Sequence, residues 1–401
     1  MLNPELKLNP KIFDSDVEQK PIRDGYGEAL MELGEKNPNV VVLTADLAES
    51  TRVHKFAEKW PERFIECGVA EQNMAAVAAG LAVSGKISFI SSYATFSPGK
   101  NWETIRTTII YNEANVKIAG HHSGIVTGPD GATHQATEDI AIMRCLPNIK
   151  IISPCDAIEA KKATLYAAEI YGPVYIRFVR DKTSLITTEE TPFRFGKIEE
   201  YWMPTYPNDN RIKYPNGKPN KNLKFGHDSG NPFGPNSGNL IAIFATGHLV
   251  YQALLAAKEL EEEGIETYVL NVHTIKPLDI ETIFEVANKV KGIVTVEDHQ
   301  VAGGLGSAIS EVLVNASLRR DNYPNNRPNN IPEYNPNNHQ EFGQHSGSSF
   351  GHNSGKFNVP PIIFIGLQDT FGESGSMQDL LRKYKMDKEA IKKAVKRLIE
   401  L

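Results

Sequence analysis

From residue 24 onward, segments with helical periodicity alternate with short runs that are apolar at almost every position. GYGEALMELGEKNP reads as a helix stopped by its proline, and VVVLTAD (40–46) follows as a buried strand. FIECG (64–68), KISFIS (86–91), VKIAG (116–120), IKIISP (149–154) and GPVYIRFV (172–179) read as further strands with helices between them. Residues 71–83 are small and apolar on nearly every face, which predicts a helix buried all round. Asp156 and Glu159 have the spacing of an N-terminal capping box, so a helix starts there.

A second series begins at residue 239. NLIAIFATG, ETYVLNV (266–272), GIVTVED (292–298) and IIFIGL (362–367) read as strands. Helices are expected at 249–263, 279–289 and 305–318, and 387–401 forms an amphipathic helix. Its stripe of Ile391, Ala394, Val395 and Leu398 is expected to face the core. This alternation predicts an α/β chain of two three-layer domains, each a mostly parallel sheet covered on both faces. The expected organisation is an arm at 1–23, a first domain at 24–195, a linker at 196–238 and a second domain at 239–401.

Two stretches interrupt the alternation. Residues 203–238 and 320–358 are rich in Asn, Pro, Gly, Ser and His, and they echo each other in FGHDSGNPFGPNSG and FGQHSGSSFGHNSG. So few aliphatic residues cannot bury enough surface to offset chain entropy, and both read as low-complexity insertions. Composition narrows the function classes. Hydrophobic residues at 40% and charged residues at 23% suit a soluble globular protein, and the net charge of −6 argues against nucleic acid as a partner. Three cysteines without a CxxC pair give neither a disulfide framework nor a zinc site. No apolar run reaches the roughly 20 residues that span a bilayer, and the N-terminus lacks the apolar segment of a signal peptide. A cytoplasmic protein with no membrane association is expected.

Four clusters lie at or just after strand ends, where ligands collect in open parallel sheets. GVAEQNMAAVAAGLA (68–82) places Glu71 at a helix start, where a carboxylate also complements the helix dipole. YATF (93–96) offers two aromatics three apart, able to clasp a flat ring or to pack in a core. HHSGIVTGPDGATHQ (121–135) combines histidines, an aspartate and glycines in a loop too polar to be explained by packing. Arg180 follows the strand 172–179. AGGLGSA (302–308) opens a helix but lacks dinucleotide-loop spacing, and reads as a structural turn.

Together, GVAEQN, YATF, DGATHQ and YIRFVRD resemble the pyrimidine-binding domain of transketolases and deoxyxylulose-phosphate synthases. ATGHLVYQAL, VEDHQVAGGLGSA and DTFGESG resemble the C-terminal domain of the same superfamily. The resemblance implies a thiamine diphosphate site. Glu71 matches the glutamate that bonds the aminopyrimidine ring, and Tyr93 and Phe96 match the aromatics packed on it. His121 and His134 match histidines that transfer protons at the substrate, and Asp130 matches an aspartate on a substrate hydroxyl. Arg23, Ser50 and Arg180 match positions that hold a sugar phosphate. The usual third aromatic is replaced by SPGKN, with Trp102 next in line.

The GDG…N segment through which full-length relatives hold the diphosphate and its Mg2+ or Ca2+ does not occur here. The resemblance therefore implies a complementary subunit that binds diphosphate and metal, assembled as a two-fold heterotetramer acting on sugar phosphates. The implied reaction moves a two-carbon ketol unit from a ketose phosphate to an aldose phosphate. The alternatives are a deoxyxylulose-phosphate synthase-like fragment, the beta subunit of a 2-oxoacid dehydrogenase decarboxylase, and a noncatalytic assembly subunit.

Overall fold

The computed structural model describes residues 1–204, 239–317 and 359–401; the expected insertions lie almost entirely outside the described residues. The first part of the chain contributes β1 (Gln19–Pro21), α1 (Ile22–Lys36), β2 (Val40–Thr44), α2 (His54–Lys59), β3 (Phe64–Glu66), α3 (Glu71–Val83) and β4 (Ile87–Tyr93). These are followed by α4 (Trp102–Thr104), β5 (Val116–His121), α5 (Asp139–Arg144), β6 (Lys150–Ile152), α6 (Ala157–Glu169), β7 (Val174–Arg177), β8 (Lys182–Ser184) and β9 (Glu199–Trp202). The second part supplies β10 (Ile241–Ala245), α7 (Leu249–Glu262), β11 (Thr267–Asn271), β12 (Thr274–Lys276), α8 (Ile280–Ala287), β13 (Gly292–Gln300) and α9 (Leu305–Ser317). It closes with β14 (Ile362–Leu367), α10 (Met377–Lys383) and α11 (Lys388–Glu400).

Among the described residues, one sheet has the order β12-β6-β7-β5-β4-β2-β3, and all its pairs are parallel except β12–β6. A second has the order β14-β13-β10-β11-β9, parallel except for β9. Strand residues alternate between two apolar layers, because successive side chains leave a strand on opposite faces. Val40 and Val42 join the layer containing Leu30 and Ala163, while Val41 and Leu43 join the layer containing Met74 and Ala78. This is the three-layer α/β arrangement expected. In α11 the stripe Ile391, Ala394, Val395 and Leu398 is buried as expected, and Asp387 caps the helix by accepting from the Ala390 amide.

Three local features depart from the sequence reading. Helix α3 is not buried all round: Gln72, Asn73, Ala76, Gly80 and Val83 are exposed, because no described element of the chain covers that flank. The carboxyl of Glu159 accepts from the Cys155 amide rather than the Asp156 amide, one residue short of the usual capping box. β9, inside the stretch expected to be linker, already belongs to the second sheet, and β12 crosses back to pair with β6 of the first. Among the described residues no helix is long and apolar enough to cross a membrane.

Candidate active site

Glu71 is the first residue of α3 and is 2% exposed. Its Oε2 accepts from Lys100 Nζ at 2.7 Å, and its backbone carbonyl accepts from Asn101 Nδ2 at 3.0 Å. The Lys100 side chain is 47% exposed, so the buried carboxylate meets a cation standing at the water boundary. Among the described residues no donor reaches Oε1.

Tyr93 ends β4, and Phe96 lies in the wide helical turn that follows. The two rings stack at 5.8 Å with 14° between their planes, and both remain partly exposed. His134 meets both edge-on, at 6.1 Å and 5.5 Å, and its Nδ1 lies 2.9 Å from Thr133 Oγ1. Trp102 is turned elsewhere: its indole N–H donates to the Ile142 carbonyl at 2.7 Å.

The two adjacent histidines separate. His121, the last residue of β5, is fully buried, stacked on Phe178 at 4.9 Å and edge-on to Tyr26 at 5.0 Å. Among the described residues neither of its ring nitrogens has a partner, and burial holds its pKa well below the ordinary value. The expectation that His121 reaches substrate is corrected by this placement: the ring still belongs to β5, on the face of the core residue Ala119, and is enclosed by Phe178 and Tyr26. His122, which the sequence reading left without a role, turns the other way with φ 54°. Its ring stacks on Tyr93 at 3.7 Å, and its Nε2 lies 3.2 Å from Arg23 Nη1. A guanidinium can only donate, so His122 Nε2 carries the lone pair and Nδ1 the proton; Nδ1 is buried without a partner. Burial, then the charges of Arg23 and Arg180, lower the His122 pKa to about 2, so the ring is neutral.

Arg23 also donates to the Ser50 carbonyl at 2.9 Å, while its buried Nε has no partner among the described residues. Burial lowers the Arg23 pKa and Arg52 pushes it the same way, Asp24 beside Arg52 pulls it back, and Arg180 lowers it further. Arg180 Nη1 reaches the Thr127 carbonyl at 3.5 Å. The structure thus brings together Arg23, Ser50, His122 and Arg180, and separately Glu71 beside the turn that carries Phe96. Asp130 is exposed at the end of the segment Ile125–Asp130. Arg52 is paired with Asp24 at 2.6 Å, whereas among the described residues no carboxylate pairs with Arg23 or Arg180, which leaves these two for an anion; a flat ring is what the paired aromatics and the half-satisfied carboxylate can receive.

The glycine-rich start of α9 is filled by the chain itself. Glu297 accepts from the Leu305 and Gly306 amides at 2.6 Å and 2.9 Å, and a Cβ at Gly304 would stand 1.9 Å from Glu297 Oε2. The helix start therefore has its acceptor built in, which bears out the reading as a structural turn.

Family models agree with this layout. The transketolase pyrimidine-binding domain matches residues 18–184, and the transketolase C-terminal domain matches 235–343. The chain is 38% identical over 378 residues to the "Putative transketolase C-terminal section" of Methanocaldococcus jannaschii, covering 94% of this chain and 95% of that one. It is 36% identical to the 6-deoxy-6-sulfo-D-fructose transketolase subunit SqwH of Clostridium sp. (strain MSTE9), covering 75% and 83%. A 1-deoxy-D-xylulose-5-phosphate synthase of Caldanaerobacter subterraneus is 32% identical over 92% of this chain, which spans 47% of that enzyme. Among solved structures, one described as a split gene transketolase, inactive beta4 tetramer, superposes with a TM-score of 0.70 at 34% identity, over 96% of this chain and 99% of that one. These domains imply dependence on thiamine diphosphate. With its aromatic pair, helix-start glutamate and paired α/β domains, this chain belongs to the transketolase family.

Proposed function

We propose that this chain is one half of a two-subunit transketolase, moving a two-carbon ketol unit from a ketose phosphate to an aldose phosphate. The observation that carries the reading is the pairing of two complementary surfaces at one set of strand ends. One is a buried carboxylate beside an aromatic pair; the other is a cationic cluster around a neutral histidine. Thiamine diphosphate, when bound, supplies an acidic thiazolium carbon and an electron sink for breaking a carbon–carbon bond beside a carbonyl. The residues fit it. Glu71 Oε1 is free to accept a hydrogen bond from the pyrimidine ring, and Tyr93 and Phe96 present partly exposed faces for that ring.

The substrate roles follow from the same geometry. His122, rather than His121, stands with His134 where a proton can be held near a sugar hydroxyl or carbonyl, its Nδ1–H an unpartnered donor. Arg23 and Arg180 hold the phosphate, with Ser50 at the edge of that cradle. Asp130 takes a substrate hydroxyl. The diphosphate and its Mg2+ or Ca2+ belong to the complementary subunit, with two copies of each chain around a two-fold axis. The similar split-gene chain, described as inactive in its beta4 tetramer, supports the need for a second kind of subunit.

The test is a reconstitution with the complementary subunit, thiamine diphosphate and Mg2+. Ketol transfer between a ketose phosphate and an aldose phosphate is expected only in the mixture. Transfer by this chain alone, or consumption of pyruvate in place of ketose phosphate, overturns the proposal; the second outcome would favour the synthase reading.

A further inference from the structure

The C-terminal domain reaches into the substrate loop. Asp298, near the end of β13 and 2% exposed, accepts from the Ile125 amide at 2.9 Å and faces the Val126 amide at 3.5 Å. Gly124 lies against the same carboxylate: a Cβ there would stand 2.0 Å from Asp298 Oδ2, and φ 73° with ψ 178° is a backbone state open in practice to glycine alone. The other end of the loop is held from the same strand. Gln300 N donates to the Thr137 carbonyl at 2.7 Å, and Arg177 bridges the carbonyls of Asp298 (2.7 Å) and Ala136 (3.3 Å). Gln135 joins the Ile125 carbonyl to that of Glu373, both at 2.9 Å.

Inside this frame the loop is wired to the candidate site. Gly124 N donates to the Ala136 carbonyl at 2.7 Å, closing the loop's base. Thr127 Oγ1 donates to the His122 carbonyl at 2.6 Å, and the Thr127 carbonyl meets Arg180. A displacement of residues 124–127 therefore moves both His122 and Arg180. His248 Nε2 stands 3.7 Å from Asp298 Oδ2, and the charges of Arg177 and Asp139 also act on this carboxyl.

We propose that Asp298 is a positioning residue: a carboxylate of the C-terminal domain that sets the shape of the substrate loop, and through it the placement of His122 and Arg180. Its catalytic consequence rests on the transketolase reading above, whereas its effect on the loop does not. The experiment takes the full chain, alone and in the two-subunit complex, with Asp298→Ala and Asp298→Asn. In Asp298→Ala, amide hydrogen exchange in peptides covering 121–137 should rise ~10-fold or more, with peptides from α6 and α11 unchanged. In the complex, kcat/KM should fall by about 10–100-fold, the order seen when a reacting group is misplaced by an ångström. Asp298→Asn keeps an acceptor for the Ile125 amide and should restore both most of the way. Native exchange across 121–137 in Asp298→Ala overturns the proposal, as does a rise spread evenly over the chain or an Asn variant no better than Ala. The exchange readout needs neither cofactor nor substrate. Absence of ketol transfer in the wild-type complex would thus count against the proposed function, and exchange alone would then decide this one.

Discussion

Glu71 and Glu297 are both buried carboxylates associated with a helix start, yet they end in opposite situations. Glu297 is enclosed, and its two oxygens are taken by the amides of Leu305 and Gly306. Burial pushes its pKa up to about 8 while those amides pull it down. Glu71 keeps one oxygen without a donor among the described residues and shares the other with a half-exposed lysine. A carboxylate whose bonding is completed inside the chain stabilises a fold, and one left incomplete at the water boundary is available to a ligand. The same contrast separates the two glycine-containing segments: one closes on Glu297, and the other meets Arg180, which no carboxylate pairs with among the described residues.

Substitution can break or sharpen this contrast. Glu71→Gln should lower ketol transfer in the complex by about 100- to 1,000-fold, ~3–4 kcal/mol in the barrier, while urea unfolding of the chain stays near native. Glu297→Ala should do the reverse, lowering stability in urea by about 1–2 kcal/mol for each of the two amides left without an acceptor. If Glu71→Gln lost stability as Glu297→Ala does, the contrast would collapse. Arg180→Ala should raise KM for phosphorylated sugars by about 10–100-fold, the worth of one charge-assisted hydrogen bond, and leave unphosphorylated sugars nearly unaffected. Matched substrate pairs check this, and equal losses for both would make Arg180 structural.

Glu159 gives a pH handle on a third buried carboxyl. Burial, then Asp156, raises its pKa from 4.5 to about 7, although Cys155 N, Tyr201 Oη and Asn271 Nδ2 all donate to it. The folded state thus binds a proton that the unfolded chain has released, so this group's contribution is full below its unfolded pKa and is lost as pH rises through about 7. Urea midpoints of the wild type should fall across that window, and those of Glu159→Gln should fall less.

Much of this was legible in the residues. The strands and helices that carry the site follow from apolar runs and helical periods, since both elements must bury a face against the same core. Glu71, Tyr93 and Phe96 come together because each ends a strand or opens the next helix on one rim of the sheet. The choice between His121 and His122 had no such signal: Ala119 and Ile118 lie in the two apolar layers on either face of the sheet, so alternation gives each ring a layer without saying which one reaches the rim. Three other features were out of reach because they are tertiary. The exposed flank of α3 is one that no described element covers. The partners of Glu297 and Asp298 lie 8 and 173 residues away in sequence. The crossing of β12 shows no local signal, since a three-residue strand is too short for a period.

That crossing also decides where the polypeptide can be divided. β12 covers the edge of β6, Ser153 N bonds to the His273 carbonyl at 2.8 Å, and Lys276 reaches back to the Arg144 carbonyl at 2.9 Å. One apolar cluster also joins Ile176 and Ala163 of the first sheet's layers to Ile243 and Val395 of the second's. A first domain expressed alone would expose both an unpaired strand edge and an apolar face, the two features that drive edge-to-edge aggregation. For engineering purposes the two α/β domains are therefore a single module, to be transplanted, fused or truncated together.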